Sequence, residues 1–497
     1  MPNSTVDALV VGAGPVGLTM AAALHHQGLR CRLIDKAAAP TDKSKALVVW
    51  SRTLELLDNL DLADTFVHTG LKARGASVYS GGKRIAHVEI AGVESPFGYP
   101  LMIPQNETER LLAEHLAKQG ITVERQVELI SFREQADAVA CTLRHADGRE
   151  EQLSVKWLAG CDGAHSTVRH LLGMEFVGET MPSNWILADV HLSGVPNPGD
   201  VDVAWHSSGI LVTFPIVPPR YRVIADVGDS QSGEAPQDPT LEEVQAILDQ
   251  RGPGGVTASN PIWLAAFHIN ERKVAAYRAG RVFLTGDAAH IHSPAGGQGM
   301  NTGIQDACNL AWKLALVCRG ICAPEPLLGS YSPERTAVGD MVLKGAGRVT
   351  TLAIMRGSIK QSIRNHIASL VFGLSAVLKK AADVMTELSI GYPSSPLNGG
   401  GHHISPGPAE GERAPIDKNQ PPVGVGSSPR FVLFAEPDEQ GTQLVARYPN
   451  LLEPTLRAPF AEGGLWLVRP DGYVGLATKQ DRWDEVANYL DQFVIKP

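Results

Sequence analysis

The chain is poor in cysteine, with 6 among 497 residues and none after Cys322. The only close pair, Cys318 and Cys322, lies in an apolar, helical-looking stretch without a ligand-type histidine nearby. That spacing argues against a zinc site or a disulfide framework and for free thiols in a reducing compartment. Basic blocks are also lacking, and the formal net charge is −9. Nucleic acid and an anionic membrane surface are therefore not expected partners. The opening residues, MPNSTVDALVVGAG, carry no cationic leader, and their apolar run has the length of a strand. They do not read as a signal peptide. The longest later apolar stretch, 367–378, contains Ser and Gly and runs into Lys379 and Lys380. It is too short to span a bilayer. A cytoplasmic protein is expected.

What is present reads as a globular chain, 43% apolar and 20% charged, long enough for about two or three domains. Residues 8–11 form a buried-strand run, a glycine turn follows, and a helix is expected over 15–27 until Gly28 stops it. A second strand, 30–34, ends at Asp35. This is the strand–turn–helix–strand opening of a doubly wound sheet. Gly12-Ala13-Gly14-Pro15-Val16-Gly17 fits G-x-G-x-x-G. In that pattern the first glycine makes the tight turn, the second admits a pyrophosphate, and the third lets helix and strand pack closely. The helix N-terminus adds free N–H groups and a positive dipole end. Asp35 stands where an acid accepts hydrogen bonds from a ribose. This motif predicts a dinucleotide without choosing between FAD and NAD.

Two further motifs bear on that choice. Ala159-Gly160-Cys161-Asp162-Gly163-Ala164-His165-Ser166-Thr167-Val168-Arg169 takes a strand through an Asp-Gly turn into a helix. Arg281-Val282-Phe283-Leu284-Thr285-Gly286-Asp287-Ala288-Ala289-His290 ends a second strand in a Gly-Asp turn and continues as HSPAGGQGMNTGIQDACNLAWKLA. Its glycines allow backbone to approach a planar ligand. In their order and spacing, the three motifs resemble the para-hydroxybenzoate hydroxylase-type flavoprotein monooxygenases. The fit is close to the phenol hydroxylase-like branch with its aromatic polyketide hydroxylases, and it runs along nearly the whole chain.

The resemblance implies an α/β fold: an FAD-binding Rossmann-like domain of glutathione reductase type, an inserted antiparallel substrate sheet and a thioredoxin-like C-terminal domain. The expected division is 1–179 and 276–390 for FAD, the latter with a helical region, 180–275 for substrate, a linker at 391–428 and a tail at 429–497. Gly12, Gly14, Pro15 and Gly17 would hold the FAD pyrophosphate, and Asp35, with Lys36 beside it, the adenosine ribose. Lys45 and Arg52 would be cations near the phosphates, although the family more often has Arg at the first position. Gln105 and Asp162 would contact FAD, and Gly286 and Asp287 the ribityl chain. Pro294, Gly297, Gly299, Met300 and Asn301 would border the isoalloxazine. Asp162 has the alternative of capping the next helix, Lys45 that of a solvated charge. His290 and His292 are read as structural.

The same resemblance implies reduction of FAD by NADPH or NADH, reaction with O2, and hydroxylation through a flavin hydroperoxide, the cofactor carrying the hard step. That chemistry needs no protein nucleophile or metal, which fits the absence of a G-x-S-x-G elbow and of a metal-ligand cluster from the sequence; without a second clear G-x-G-x-x-G, the reductant would bind transiently. The substrate, an aromatic or polyketide-type small molecule, would lie beneath the inserted sheet, with Trp205, Phe214, Trp263 and Phe267 as candidate contacts. GERAP at 411–415 and LVRPDGYV at 467–474 resemble signatures of the tail domain, which lacks cysteine and so has no thiol chemistry. A monomer or homodimer fits equally. A W-x-W-x-I-P motif is absent, which sets a halogenase aside. An epoxidase, a Baeyer–Villiger-type oxygenase, an antibiotic-inactivating monooxygenase and a flavin-binding module without turnover remain as alternatives.

Overall fold

Val6–Val11, a strand buried along nearly its whole length, leads into the helix Pro15–His26. Proline at the first helical turn fits because the N–H it lacks would be unpaired there anyway. Gly28, at φ +75°, ends the helix in the left-handed region. The computed structural model describes residues 6–89, 93–229, 237–353, 375–401, 403–417 and 420–495. Most of the apolar stretch 367–378 lies outside the described residues. No helix among them is long and apolar enough to cross a membrane.

The first of two large sheets is central. Cys31–Asp35, Val6–Val11, Glu150–Gly160 and Val282–Leu284 run parallel side by side, with Val123–Arg125 beyond Cys31–Asp35. Parallel strands need crossovers that cover both faces, and the main core forms where Pro15–His26 and the long helix Gly299–Cys318 pack on this sheet.

The second sheet is almost wholly antiparallel. It contains the strands Val177–Ser193, Val201–His206, Gly209–Val217 and Arg220–Asp229. Thr257–Lys273 pairs with Val177–Ser193 over most of its length. The sheet also recruits Gly75–Ser80 and Lys83–Glu89 from earlier in the chain, Gly75–Ser80 joining in parallel beside Val201–His206. Their short, mixed composition carries too little alternation to reveal that partner. The helix Leu241–Arg251, opened by a capping box at Thr240 and Glu243, covers one face. The other face turns toward the first sheet's domain.

The tail contains Val432–Phe434, the helix Glu439–Arg447, the antiparallel pair Gly464–Val468 and Val474–Lys479, and the helix Trp483–Asp491. Phe431 and Phe434 bridge in parallel to Leu452 and Arg457 on the other edge. Between the helical region and the tail, Tyr392, Leu397 and Ala414 are buried. Gly411 N–H donates to the Val474 carbonyl at 2.8 Å. The Pro/Gly/Ser-rich segment 391–428 thus lies against the tail sheet for part of its length.

Candidate active site

The glycine turn has a geometry that gives each glycine a separate reason. Gly12 sits at φ +99°, and a Cβ there would meet the Cys161 carbonyl at 2.5 Å. A Cβ on Gly17 would overlap the Gly12 carbonyl oxygen. Gly14 is extended, and a Cβ there would meet nothing within 4 Å. Its open side faces space, as a turn reserved for a ligand requires. No side chain caps the following helix, so its first N–H groups stay free for an anion. A cavity of about 240 Å³ is lined here by Gly12, Gly14, Asp35, Lys36, Asp162 and Gly163 among others.

Asp35 closes the turn. Its Oδ2 accepts from Ala13 N–H at 2.7 Å and its Oδ1 from Ala37 N–H at 2.8 Å. Arg125 approaches Oδ2 at 3.4 Å. Asp162 borders the cavity and also caps a helix: Oδ1 accepts from Ser166 Oγ at 2.5 Å and Oδ2 from Val168 N–H at 3.1 Å. Gln105 buttresses the segment before it, accepting from Ala46 N–H at 3.2 Å and donating to Glu109 at 2.9 Å. Lys45 is exposed. Desolvation by the surrounding protein raises the pKa of Asp287, and the charge of Lys45 opposes that rise.

At the other end, Gly286 (φ +56°) packs against Val16, and its N–H donates to Asp306 Oδ2 at 2.9 Å. Asp287, next in the turn, is exposed. Asp306 is wholly buried and also bonds His290 Nε2 at 2.8 Å and Arg335 Nε at 2.5 Å. Burial alone would raise its pKa, but Arg335 and His290 outweigh that and hold it below the usual value. His290 is thereby engaged in a structural contact. His292, with Nδ1 at 2.9 Å from the Ser293 carbonyl, is pushed down to about 4 by burial and by His290. It is neutral at pH 7, and Nδ1 carries its proton.

The loop from Pro294 to Gly299 is held from both sides. Trp50 Nε1 donates to the Gly296 carbonyl at 2.8 Å. Asn301 accepts from Trp50 N–H at 2.9 Å and donates to the carbonyls of Val48 and Gly297 at 2.8 and 2.9 Å. Its side chain is thus fully committed to scaffold. Gly297 has φ +65°, the helix Gly299–Cys318 starts without a side-chain cap, Met300 is half-buried and Pro294 is exposed.

Arg52 is not grouped with these residues. Its buried guanidinium donates to Glu55 at 2.9 Å and to the Asp471 carbonyl at 2.6 Å, facing the tail. Sequence reading placed it by its position beside Lys45 and had no view of this long-range partner.

The four aromatics from the sheet do come together on one face. Pairing sets Phe214 opposite Arg222, Arg222 opposite Asp189, and Asp189 opposite Trp263 in a single row. Four residues along, Trp205, Ile210, Trp185 and Phe267 form a parallel band on the same face. Phe214, Trp263, Trp205 and Phe267 are each half-buried. Phe214 packs with Leu47, Val48, Trp50 and Met102, so this face meets the segment that holds the glycine loop. The row's centre is a buried bidentate pair, Arg222 to Asp189 at 2.7 and 3.0 Å. Arg222 also donates to the Lys45 carbonyl at 3.1 Å. Neither partner stood out in the sequence, since no local motif announces a cross-strand pair. Asp306 and Asn309 lie within the third motif, whose pattern does not signal their buried partners.

The chain matches the family described as FAD binding domain over residues 5–346. It is 36% identical to 6-methylpretetramide 4-monooxygenase of Streptomyces rimosus, over 95% of this chain and 90% of that protein. A flavin-dependent monooxygenase of Mycobacteroides abscessus is 32% identical, over 98% of this chain and 99% of that protein. Among solved structures, OxyS anhydrotetracycline hydroxylase from Streptomyces rimosus aligns with a TM-score of 0.80 at 27% identity, over 99% of both chains. On this match, and on relatives more than 30% identical along nearly its whole length, the chain belongs to the FAD-binding-domain family, among its flavin-dependent monooxygenases.

Proposed function

We propose that this protein hydroxylates an aromatic polyketide or a related phenolic molecule, using FAD, NADPH or NADH, and O2. The observation that carries the reading is the half-buried aromatic face of the second sheet, set against the segment that pins the Pro294–Gly299 loop. The relatives' names, a 6-methylpretetramide monooxygenase and an anhydrotetracycline hydroxylase, support a fused-ring substrate.

The residues present fit FAD. Gly14 leaves open the space a pyrophosphate needs, and the uncapped helix behind it offers N–H donors. Asp35 would serve the ribose while holding the turn, and Lys36 would lie beside it. Asp287 would meet the ribityl chain, and the backbone of 294–299 with the start of the helix at Gly299 would border the ring system. Bound FAD supplies the electron transfer from nicotinamide to O2 and the oxygen-transfer chemistry. The protein's part is to orient the substrate and exclude water. Phe214 and Trp263 would stack on the substrate. The Arg222–Asp189 pair between them would hold both aromatics at a fixed height. Asn301 and Trp50 keep the glycine loop in place for the cofactor.

We also read the tail as thioredoxin-like. Its strand–helix–bridge–hairpin–helix order, with the first strand parallel to the 452–457 bridge segment, supports this. The divisions at 179, 275 and 390 are kept as domain boundaries, the second sheet drawing additional strands from 75–89.

The purified protein should show flavin absorption and release FAD on denaturation. NADPH or NADH consumption should rise with a phenol or polyketide from a small panel, and the product should be one oxygen heavier. A colourless protein that FAD cannot reconstitute would sink the reading.

A further inference from the structure

The tail's turn at 469–472 touches three helices at once: Tyr331–Ala353, Gly299–Cys318 and Ser51–Asp58. Arg469 is wholly buried and donates to both oxygens of Glu334 at 2.6 and 3.1 Å. It also donates to both oxygens of Asp471, at 3.0 and 2.6 Å. Asp471 then reaches in two directions. Its carboxylate accepts from Asn309 Nδ2 at 3.2 Å, on the helix Gly299–Cys318. Its backbone carbonyl accepts from Arg52 Nη2 at 2.6 Å, on the helix Ser51–Asp58. Lys313, four residues beyond Asn309, donates to Asn309 and to Glu334 at 2.9 and 2.7 Å.

The helices Ser51–Asp58 and Gly299–Cys318 matter because of what stands at their N-terminal ends. Trp50 immediately precedes the first, and its indole and backbone N–H bond Gly296 and Asn301. Gly299 begins the second, and Asn301 is in its first turn. The glycine loop is therefore suspended between the N-terminal ends of two helices that the 469–472 turn joins further along. A buried polar network of this kind, in which Arg52 Nε alone of that guanidinium's nitrogens lacks a partner, permits one relative placement and penalises others, since a shift strands a charge.

We propose that the tail's Arg-Pro-Asp-Gly turn is a positioning element for the cofactor: through Arg52 and Asn309 it sets the spacing of the two helices that hold the 294–299 loop. Arg52 is on this view a positioning residue, acting on the cofactor through Trp50. The proposal rests on the reading that FAD lies against that loop.

The test uses the full chain and two readouts besides turnover: the FAD dissociation constant of the folded apoprotein and the visible circular dichroism of bound flavin. Arg52→Met removes the link to Asp471, while Glu55 keeps Arg413 at 3.3 Å as its cation. It should weaken FAD binding about tenfold and alter the flavin's visible dichroism, both measured well below the variant's own melting temperature. Arg52→Lys should restore part of each. Asn309→Ala, which cuts the other link, should act in the same direction and stands in if Arg52→Met does not fold. A turn that merely packs would lower the melting temperature and leave affinity and dichroism unchanged in the folded fraction; that result overturns the proposal. Wild-type protein that binds no FAD would instead remove the functional reading and this inference with it.

Discussion

Gly17 is packed so closely on the Gly12 carbonyl that a single added methyl would overlap it, while Gly14, between them, borders open space. The two kinds of glycine should separate in experiment. Gly17→Ala is expected to disturb the helix–strand contact and lower the melting temperature of the apoprotein. Gly14→Ala, whose backbone is extended and strain-free for alanine, should melt with the wild type yet lose FAD affinity by about tenfold or more, a loss of roughly 1.4 kcal/mol or more. Reconstitution titrations beside thermal melts decide this; a Gly14→Ala protein with full affinity would place the phosphates elsewhere.

Asp189 and Arg222 are both 1% exposed. Removing one member leaves the other charged and buried, which costs about 3–5 kcal/mol. Asp189→Ala should therefore show a large loss in urea denaturation, although Arg220, at 2.9 Å from Asp189, shares the carboxylate. The double variant Asp189→Leu/Arg222→Met should recover much of it. A small effect from the single change would mean that water reaches the pair.

Glu387 is buried against Thr302, which donates to it at 3.1 Å, and against Gln305. Burial pushes its carboxyl up to about 8; Asp306 adds to the rise, and Thr302, Arg335 and Gln305 oppose it. The folded protein keeps the proton that the unfolded chain releases near the ordinary value of 4.5. The stabilisation is thus complete below about pH 4.5 and is lost as pH climbs to about 8. Glu387→Gln should abolish that part of the slope and be the more stable protein near pH 8, by on the order of a few kcal/mol. Denaturant midpoints at several pH values read this directly, and parallel slopes in the two proteins would refute it.

Phe214→Ala tests the aromatic face. The half-buried ring packs against the apolar cluster that includes Trp50 and Met102. KM for the aromatic substrate should rise about tenfold, from lost apolar contact, with FAD affinity unchanged. A loss of FAD affinity with KM intact would reverse the assignment of that face.

The parts legible from sequence were those whose chemistry is local. A tight turn, an uncapped helix start and a glycine under a carbonyl are each set within a few residues, so Gly12 to Gly17 could be read without tertiary information. The glycine loop was likewise visible as a run. Asn301 shows the limit: its place in the motif was plain, but its bonds to Trp50 and Val48 span about 250 residues of chain and belong to no local pattern. Arg52 is the stronger case, because its carbonyl partner is a backbone atom at position 471, which no side-chain pattern could signal. The stretch 391–428 has linker composition because it forms turns, and turn composition does not distinguish a free tether from one laid against a sheet.

The strands Val177–Ser193 and Thr257–Lys273 are each 17 residues long. They are paired from Val177–Lys273 to Ser193–Thr257, with two irregularities. At about 3.3 Å per residue they form a splint running from the aromatic row to Lys273, which pairs with His290 just before the glycine loop. Bending that splint means breaking ladder hydrogen bonds, except at the irregularity between Thr180 and Asn184, where the pairing is already interrupted. If the aromatic face holds substrate and the glycine loop the cofactor, as proposed, their spacing is set mainly by this ladder, and accommodation of differently shaped ring systems falls to side-chain rotation along the row.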